Sequence, residues 1–323
     1  QNLKGYYLPL GATNIMTTGH EYDDAFVVWD WTRVPGTTAV ANQSTADLRW
    51  YLFGSNQFGG GVSNAHNGVM AYEHAYQGVE ARKAYFFMGD AMVCMGSGIK
   101  AARTQEVRTS VNQCLANGEV TYGLSGHTYR LTNNLSDKNI DWAYHDNVGY
   151  IFPQNESVTL RKAKQTGAWR ELEVTASDKP VTKEIFSLWV SHGTTPQHED
   201  YCYIIMPDKP LSYFTDKKFE NEIKIIVNSE QIQAISNENK RQYAAVFYEP
   251  GEIRFAEDLV VAVNKKVIIY IEKKDKQYEI AVADPLYKEQ SLQLSMNGEQ
   301  INIVFPSGDY SGSSVIKHIT EKH

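Results

Sequence analysis

The stretch VWDWTRVPGTTAV, residues 28–40, sets Trp29 and Trp31 around Asp30, adds Arg33 and closes on Pro35-Gly36. Pro35 fixes its own φ, and Gly36 accepts the positive φ that the third position of a type II turn demands, so the chain reverses sharply there. Aromatic faces, a carboxylate and a guanidinium at one reversal can line a binding surface. They can equally build a packed sandwich corner, because most tryptophans are packing residues. Further on, Arg49-Trp50-Tyr51-Leu52-Phe53 runs into Gly54-Ser55-Asn56. Sugars bind by laying an apolar ring face on an aromatic side chain while polar groups take the hydroxyls, and a flat residue just before a polar turn meets that demand. Trp50, Arg49, Arg33 and Asn56 are the candidate substrate-binding residues, with a core role as the alternative for Trp50.

Acidic residues raise the question of a metal. HEYDD at 20–24, together with Asp30, offers oxygen ligands to calcium but lacks the alternate spacing of a calcium loop, so a solvated polar face is the simpler account. No metal site is assigned, and Asp30 is the one candidate ligand. Four histidines, His66, His74, His145 and His192, stand at positions from which a β-sandwich enzyme could gather a base and an acid. Each can also simply hydrogen-bond a neighbouring turn. The glycine-rich segment QFGGGVSNAHNG, residues 57–68, reads as a loop between strands, and the phosphate-loop, zinc-protease, nucleophile-elbow and EF-hand motifs are missing. Cys94, Cys114 and Cys202 show no metal spacing, and an odd number cannot pair fully, so buried free thiols are expected.

Something must position these groups, and strand signals dominate. Ala84 to Met88, Ala91 to Met95, Val107 to Val111, Val148 to Phe152, Ile185 to Val190 and Tyr201 to Met206 are apolar or alternating runs bounded by turn residues, and Phe26 to Trp31 reads the same way. Only 44–51 and 230–236 suggest a helical turn. The region PDKPLSYFTDKKFENE, 207–222, is rich in Pro and charge and reads as a connection between domains. Beyond it YAAVFYEPGEIRF should fold back at Pro250-Gly251, three alternating runs follow in VVAVNKKVIIYIEKKDKQYEIAVAD, and Asn297-Gly298 is the preferred pair for a type I′ hairpin. The expected organisation is a large β domain over 1–214 and a smaller one over 215–323. With 323 residues, a net charge of −7 and no apolar run of membrane-span length, nucleic acid and anionic membrane are excluded as main partners. An acidic polymer is also an awkward partner unless basic residues cluster locally. The chain opens QNLKGYY, without Met or signal peptide, so an upstream segment is expected to have been removed.

VWDWTRVPGTT, SNQFGGGVSNAHNGVMAYEH, ARKAYFFMGDAMVCMGSGI with VRTSVNQ, YHDNVGYIFP, SLWVSHGTTP and VADPLYKE, in this order, resemble the β half of polysaccharide lyase family 8, nearest its chondroitin AC type. The resemblance implies an all-β fold, a large antiparallel β-supersandwich followed by a smaller C-terminal β-sandwich domain, with the family's N-terminal α/α toroid absent from this chain. It implies β-elimination at uronate residues of a glycosaminoglycan of the chondroitin sulfate or hyaluronan type, in a secreted or periplasmic bacterial lyase. The family's Asn, His, Tyr and Arg belong to the toroid side, so no catalytic residue is expected in this chain, which alone should be inactive and should line one wall of the cleft. Trp50 matches a tryptophan that stacks on substrate sugar in chondroitin AC-type members. Some members hold calcium at the position of Asp30, but Thr32 stands where they have an acid, so no cofactor is required and calcium is at most optional. The expected partners are an acidic polysaccharide and the missing toroid half, with Arg33, Arg49, Lys100 and Arg103 as local cations. The alternative function is a non-catalytic polysaccharide-binding or structural β module. A third, resting on the likeness of supersandwiches to aldose-mutarotase-like enzymes, needs a loop His and an acid at a common site.

Overall fold

Alternating and β-branched runs become strands wherever a partner strand exists to bury one of their faces, and this chain is built of such runs. The computed structural model describes residues 2–42, 56–102 and 104–321. These divide into two compact units: one takes the described residues of Gln1–Gly54 with Ala75–Glu80 and Ile99–Asp216, the other those of Ser55–His74, Ala81–Gly98 and Lys217–His323. Strands are numbered here in chain order.

In the first unit a five-stranded antiparallel sheet runs β1 (Thr38–Val40), β6 (Glu106–Leu115), β13 (Val181–Thr194), β12 (Ser157–Gly167), β9 (Leu135–Asp137). A second group of the same unit runs β14 (Glu199–Pro207), β11 (Val148–Ile151), β10 (Ile140–His145), β7 (Val120–Leu124), β8 (His127–Arg130). The two layers meet through Phe186 of β13, whose ring lies 4.4 Å from His145 and 6.1 Å from Tyr150. Asn112 of β6 donates to the Tyr150 hydroxyl at 2.6 Å and accepts from Tyr22 at 2.9 Å, which satisfies polar atoms inside an otherwise apolar interior.

The second unit holds β2 (Gly59–Ser63), most of β3 (Gly68–Tyr76), β4 (Val79–Met88) and β5 (Ala91–Ala101), neighbours in that order. It also holds a six-stranded sheet, β15 (Lys224–Asn228), β16 (Ile232–Asn237), β17 (Gln242–Phe247), β20 (Val267–Lys274), β21 (Gln277–Ala283), β24 (Val315–Thr320). A four-stranded sheet completes it, β18 (Gly251–Ala256), β19 (Leu259–Val263), β22 (Ser291–Met296), β23 (Glu299–Val304). Alternate residues of these two sheets, among them Phe247, Ile269, Ile280, Val261 and Leu294, form one buried core. Each such side chain contributes roughly 1.5–3 kcal/mol on leaving water.

The six quoted strand runs from Ala84 to Met206 lie within β4, β5, β6, β11, β13 and β14, with Phe152 just past its strand's end. Asn297 and Gly298 both take positive φ, 51° and 85°, and Met296 faces Glu299 across the β22–β23 hairpin as a type I′ turn requires. All three cysteines are buried and none is in a disulfide. Among the described residues no helix is long and apolar enough to cross a membrane.

Several expectations fail, each for a physical reason. Phe26 to Trp31 is not a strand: Phe26–Val28 forms a 3-10 turn, and the Asp30 side chain then accepts from the Thr32 amide and hydroxyl, a local bond that competes with sheet pairing. Residues 230–236 give β16, not a helical turn, because β15 and β17 flank it and tertiary pairing outweighs a weak local preference. YAAVFYEPGEIRF reverses at Pro250-Gly251 but is no hairpin, since β17 pairs with β16 and β20 while β18 pairs with β19 in the other sheet. The turn carries the chain from one layer to the next. The stretch 44–51 lies outside the described residues.

The 207–222 connection is not loose either. It holds a short helix, Leu211–Thr215, whose Phe214 is fully buried with its ring 5.5 Å from Tyr144 and 6.0 Å from Trp142. Room for that ring exists only because position 149 is glycine: a Cβ there would stand 1.8 Å from Phe214 Cζ. Gly149→Ala is therefore expected to lower stability by about 3 kcal/mol through overpacking, and Phe214→Leu in the same chain should recover part of it. Urea unfolding of the two variants checks this.

Candidate functional site: an arginine and tryptophan face of the five-stranded sheet

Strand alternation decides which side chains of the first unit's sheet face inward. Along the β6–β13 ladder Phe186, Leu188 and Val190 sit opposite Cys114, Asn112 and Thr109, all buried. A register shift between Leu188 and Trp189 passes over Val111. That bulge keeps Ser187, Trp189 and Ser191 opposite Gln113, Ser110 and Arg108 on the other face. On the far side β12 offers Arg161, Thr159 and Ser157 to the same three residues of β13. The outer face thus carries rows Gln113–Ser187–Arg161, Ser110–Trp189–Thr159 and Arg108–Ser191–Ser157.

The W-D-W-T-R turn lies across this face. Gln113 Oε1 accepts from the Asp30 amide at 2.8 Å, and its Nε2 donates to the carbonyls of Asp30 and Arg33 at 3.1 and 2.9 Å. The reversal at Pro35-Gly36 is the type II turn expected: Gly36 has φ 84°, and the Thr37 amide donates to Val34 O at 3.1 Å. A Cβ on Gly36 would come within 2.4 Å of the Gly11 carbonyl oxygen, so the position admits only glycine on two counts. Gly36 N also donates to Ser110 O at 2.7 Å, which fastens the turn to β6.

Arg33 is thereby laid over Trp189, guanidinium carbon 4.6 Å from the ring centroid, while Arg108 lies 5.2 Å from the same ring. Its side chain is only 9% exposed. A charge so far out of water needs a counter-ion, and Arg33 Nε donates to Asp30 Oδ2 at 2.6 Å. Burial would raise the Asp30 carboxyl, but the Arg33 charge and the bonds from Thr32 and Arg33 hold it below the usual carboxylate range. Arg108 is paired in turn with Glu106 at 2.5 Å, and the Ser191 hydroxyl donates to the same carboxylate.

The predicted residues fall out as follows. Arg33 is a buried member of this face, and both oxygens of Asp30 already accept hydrogen bonds from Thr32 and Arg33. Trp29 and Trp31 are each 5% exposed and pack in a ring cluster with Phe26, so for them the sandwich corner is what the fold makes. Asn56 is exposed in the second unit, its Nδ2 donating to Glu73 O at 2.9 Å. Arg49, Trp50 and Arg103 lie outside the described residues. Lys100 is paired with Glu80 at 2.9 Å. In HEYDD, Glu21 accepts from the amides of Thr17, Thr18 and Gly19 and from both threonine hydroxyls, so it clamps its own loop.

The histidines stand in differing surroundings. His74 and His145 are buried, and burial drives both down, to about 3 and about 4, so each is neutral at pH 7. His66 is exposed on its loop. His192 Nε2 lies 2.8 Å from the Thr109 hydroxyl. It shares a groove of about 220 Å³ with Lys138, Glu156, Glu199 and Asp200. Glu156 is 8% exposed; its Oε1 accepts from the Cys202 amide at 2.9 Å, and its Oε2 has no hydrogen-bond partner in the protein. Burial, with the Asp200 charge adding to it, pushes that carboxyl up to about 7.

Sequence reasoning missed Trp189, Arg108, Arg161 and Glu156. The alternation of S-L-W-V-S signals that Ser187, Trp189 and Ser191 share a face, but the strands beside them are not written locally.

Comparison with known proteins agrees with this architecture. The polysaccharide lyase family 8 super-sandwich domain matches residues 1–218, and that family's C-terminal beta-sandwich domain matches residues 224–293. The chain belongs to polysaccharide lyase family 8. It is 32% identical over 328 residues to a chondroitinase-AC of Pedobacter heparinus, covering 98% of this chain and 46% of that protein. A hyaluronate lyase of Staphylococcus aureus is 26% identical, covering 88% of this chain and 36% of the other. A solved structure of chondroitinase AC lyase with oligosaccharides superposes with TM-score 0.91 at 30% identity, over 98% of this chain and 48% of that one. The chain therefore spans about half the length, or less, of the relatives it matches.

Two outcomes test the site. Asp30→Asn strands the Arg33 charge and is expected to cost about 3 kcal/mol, whereas Glu119→Gln, which breaks the exposed pair with Arg130, should cost under about 0.5 kcal/mol. Equal losses in chemical unfolding would contradict the assignment. For Glu156 the folded value near 7 lies above the ordinary 4.5, so its contribution is full below pH 4.5 and is lost as pH rises through 7. Glu156→Gln should match wild type near pH 4.5 and be more stable by about 1–3 kcal/mol at pH 8.

Proposed function

We propose that this chain is the β portion of a secreted or periplasmic glycosaminoglycan lyase, lining one wall of the substrate cleft. The observation that carries the reading is the family match along almost the whole chain, on a fold shared with chondroitinase AC. The substrate class is an acidic polysaccharide of the chondroitin or hyaluronan kind, which two of the relatives' names indicate. In β-elimination a base removes the C5 proton of the uronate, the electron pair forms the C4–C5 double bond, and the glycosidic oxygen leaves C4 with a proton from an acid. The step becomes accessible only when the uronate carboxylate is neutralised, because its charge otherwise opposes carbanion character at C5.

We assign proton transfer to residues outside this chain, and substrate contact here to Trp50 and Arg49, with Arg33 and Asn56 alongside. No cofactor enters this reading, and calcium at Asp30 is not needed for it. We take 1–214 and 215–323 as the two domains. A net charge of −7 need not repel a polyanion, because Arg33, Arg108 and Arg161 gather on one sheet face.

The full-length protein is expected to convert chondroitin sulfate or hyaluronan to products with an unsaturated, ultraviolet-absorbing uronate at the new non-reducing end, and this chain alone to yield none. Cleavage that leaves saturated ends would refute the elimination. Oligosaccharide binding retained by this chain and lost in Trp50→Ala, without lyase activity at full length, would favour a non-catalytic binding module.

A further inference from the structure

On the arginine face both acids are already engaged, Asp30 by Arg33 and Glu106 by Arg108. Arg161 has no ion-pair partner among the described residues, and its Nε is buried with no hydrogen-bond partner in the protein. Directly across the β12–β13 ladder stands Ser187, 2% exposed, whose hydroxyl is also without a partner. Two turns of the alternation further along β12, on the same face, Gln165 Nε2 is a third buried donor with none. Unsatisfied buried donors cost roughly 1–3 kcal/mol each, so a cluster of them in a native fold calls for an acceptor.

The charge points the same way. Three guanidiniums against two carboxylates leave the face one positive charge in excess. Burial is the main force lowering the Arg33 guanidinium, and repulsion from Arg108 and Arg161 adds to it. A guanidinium and a hydroxyl that lack acceptors, beside surplus positive charge, are complementary to a group with several acceptor oxygens and a negative charge. Resting on the reading of an acidic polysaccharide substrate, we propose that Arg161 and Ser187 form an oxyanion subsite, receiving a sulfate ester or a uronate carboxylate of the sugar chain. Arg33 and Arg108, 4.6 and 5.2 Å from the Trp189 ring centroid, add to the positive field beside it.

Inorganic sulfate is the first probe. Sulfate stabilises proteins generally, so thermal unfolding is compared in sodium sulfate and in sodium chloride of equal ionic strength. The wild-type chain is expected to gain a saturable sulfate increment in Tm that Arg161→Gln abolishes, Ser187→Ala reduces and Arg161→Lys partly keeps. An increment in Arg161→Gln and Ser187→Ala equal to wild type would overturn the proposal. If Arg161→Gln does not fold, Ser187→Ala alone decides. This shift does not depend on elimination chemistry, so a full-length protein without lyase activity would defeat the functional reading and leave the subsite standing.

Oligosaccharides then separate the sources of the oxyanion. Arg161→Gln should weaken binding of sulfated chondroitin about tenfold, equivalent to about 1.4 kcal/mol. The same loss with desulfated chondroitin assigns the carboxylate, a loss confined to sulfated chains assigns the sulfate ester, and no loss with either overturns the proposal.

Discussion

Laying a guanidinium on an indole away from water is the costly act around which the first unit's surface is arranged. Arg33 over Trp189 gains a cation–π contact, worth up to about 2 kcal/mol when desolvated, but forfeits the hydration of a full charge. The arrangement is tenable only with Asp30 in hydrogen-bond contact, and Asp30 reaches that place only if the chain curls tightly after Trp29. The local turn, the type II reversal at Pro35-Gly36 and the Gln113 side chain that grips both backbone carbonyls are thus parts of one electrostatic solution. The same constraint accounts for the failed strand: the backbone from Phe26 to Trp31 cannot be extended and still return Asp30 to Arg33.

The sheet beneath must supply a surface that is apolar on one side and polar on the other. A strict two-residue period would do this, but the chain crosses from Leu188 to Trp189 opposite a bulged Val111. The extra residue resets the pairing so that Asn112 and Thr109, three apart in sequence, both point inward. Inward, Asn112 links Tyr22 and Tyr150, and Thr109 meets His192. Outward, Gln113, Ser110 and Arg108 receive the turn and the Trp189 ring. One inserted residue therefore serves the interior hydrogen bonding and the exterior cationic face together.

How much of this was legible in the sequence depends on the range of the interaction. Turn chemistry is local, so Gly36 and the Asn297-Gly298 hairpin were readable from adjacent residues, and long apolar runs such as Tyr201 to Met206 declared themselves strands. Pairing partners are not local. The Pro250-Gly251 reversal looked like a hairpin because nothing in PGE tells the two flanking strands that they belong to different sheets. Arg33 stood out in its motif, whereas Arg108, Arg161 and Trp189 matter through being side by side across three strands distant in sequence. Glu156 escaped notice because the amide it accepts from, that of Cys202, lies on a strand distant in sequence.

Any recognition by this face, as proposed, must differ in kind from aromatic stacking. Trp29 and Trp31 spend their ring faces on Phe26 and on each other, and Trp189 spends its own on two guanidiniums. None of the three rings offers a free platform to a sugar. What remains is charge and hydrogen-bond donation in a partly dehydrated setting, where each contact is stronger than in water and more sensitive to geometry. On the proposed reading, such a surface would discriminate by where the negative groups sit along a polymer, not by its ring faces. Under that reading a stacking residue elsewhere would set affinity for the sugar ring, and the arginine face would set the register of its charges.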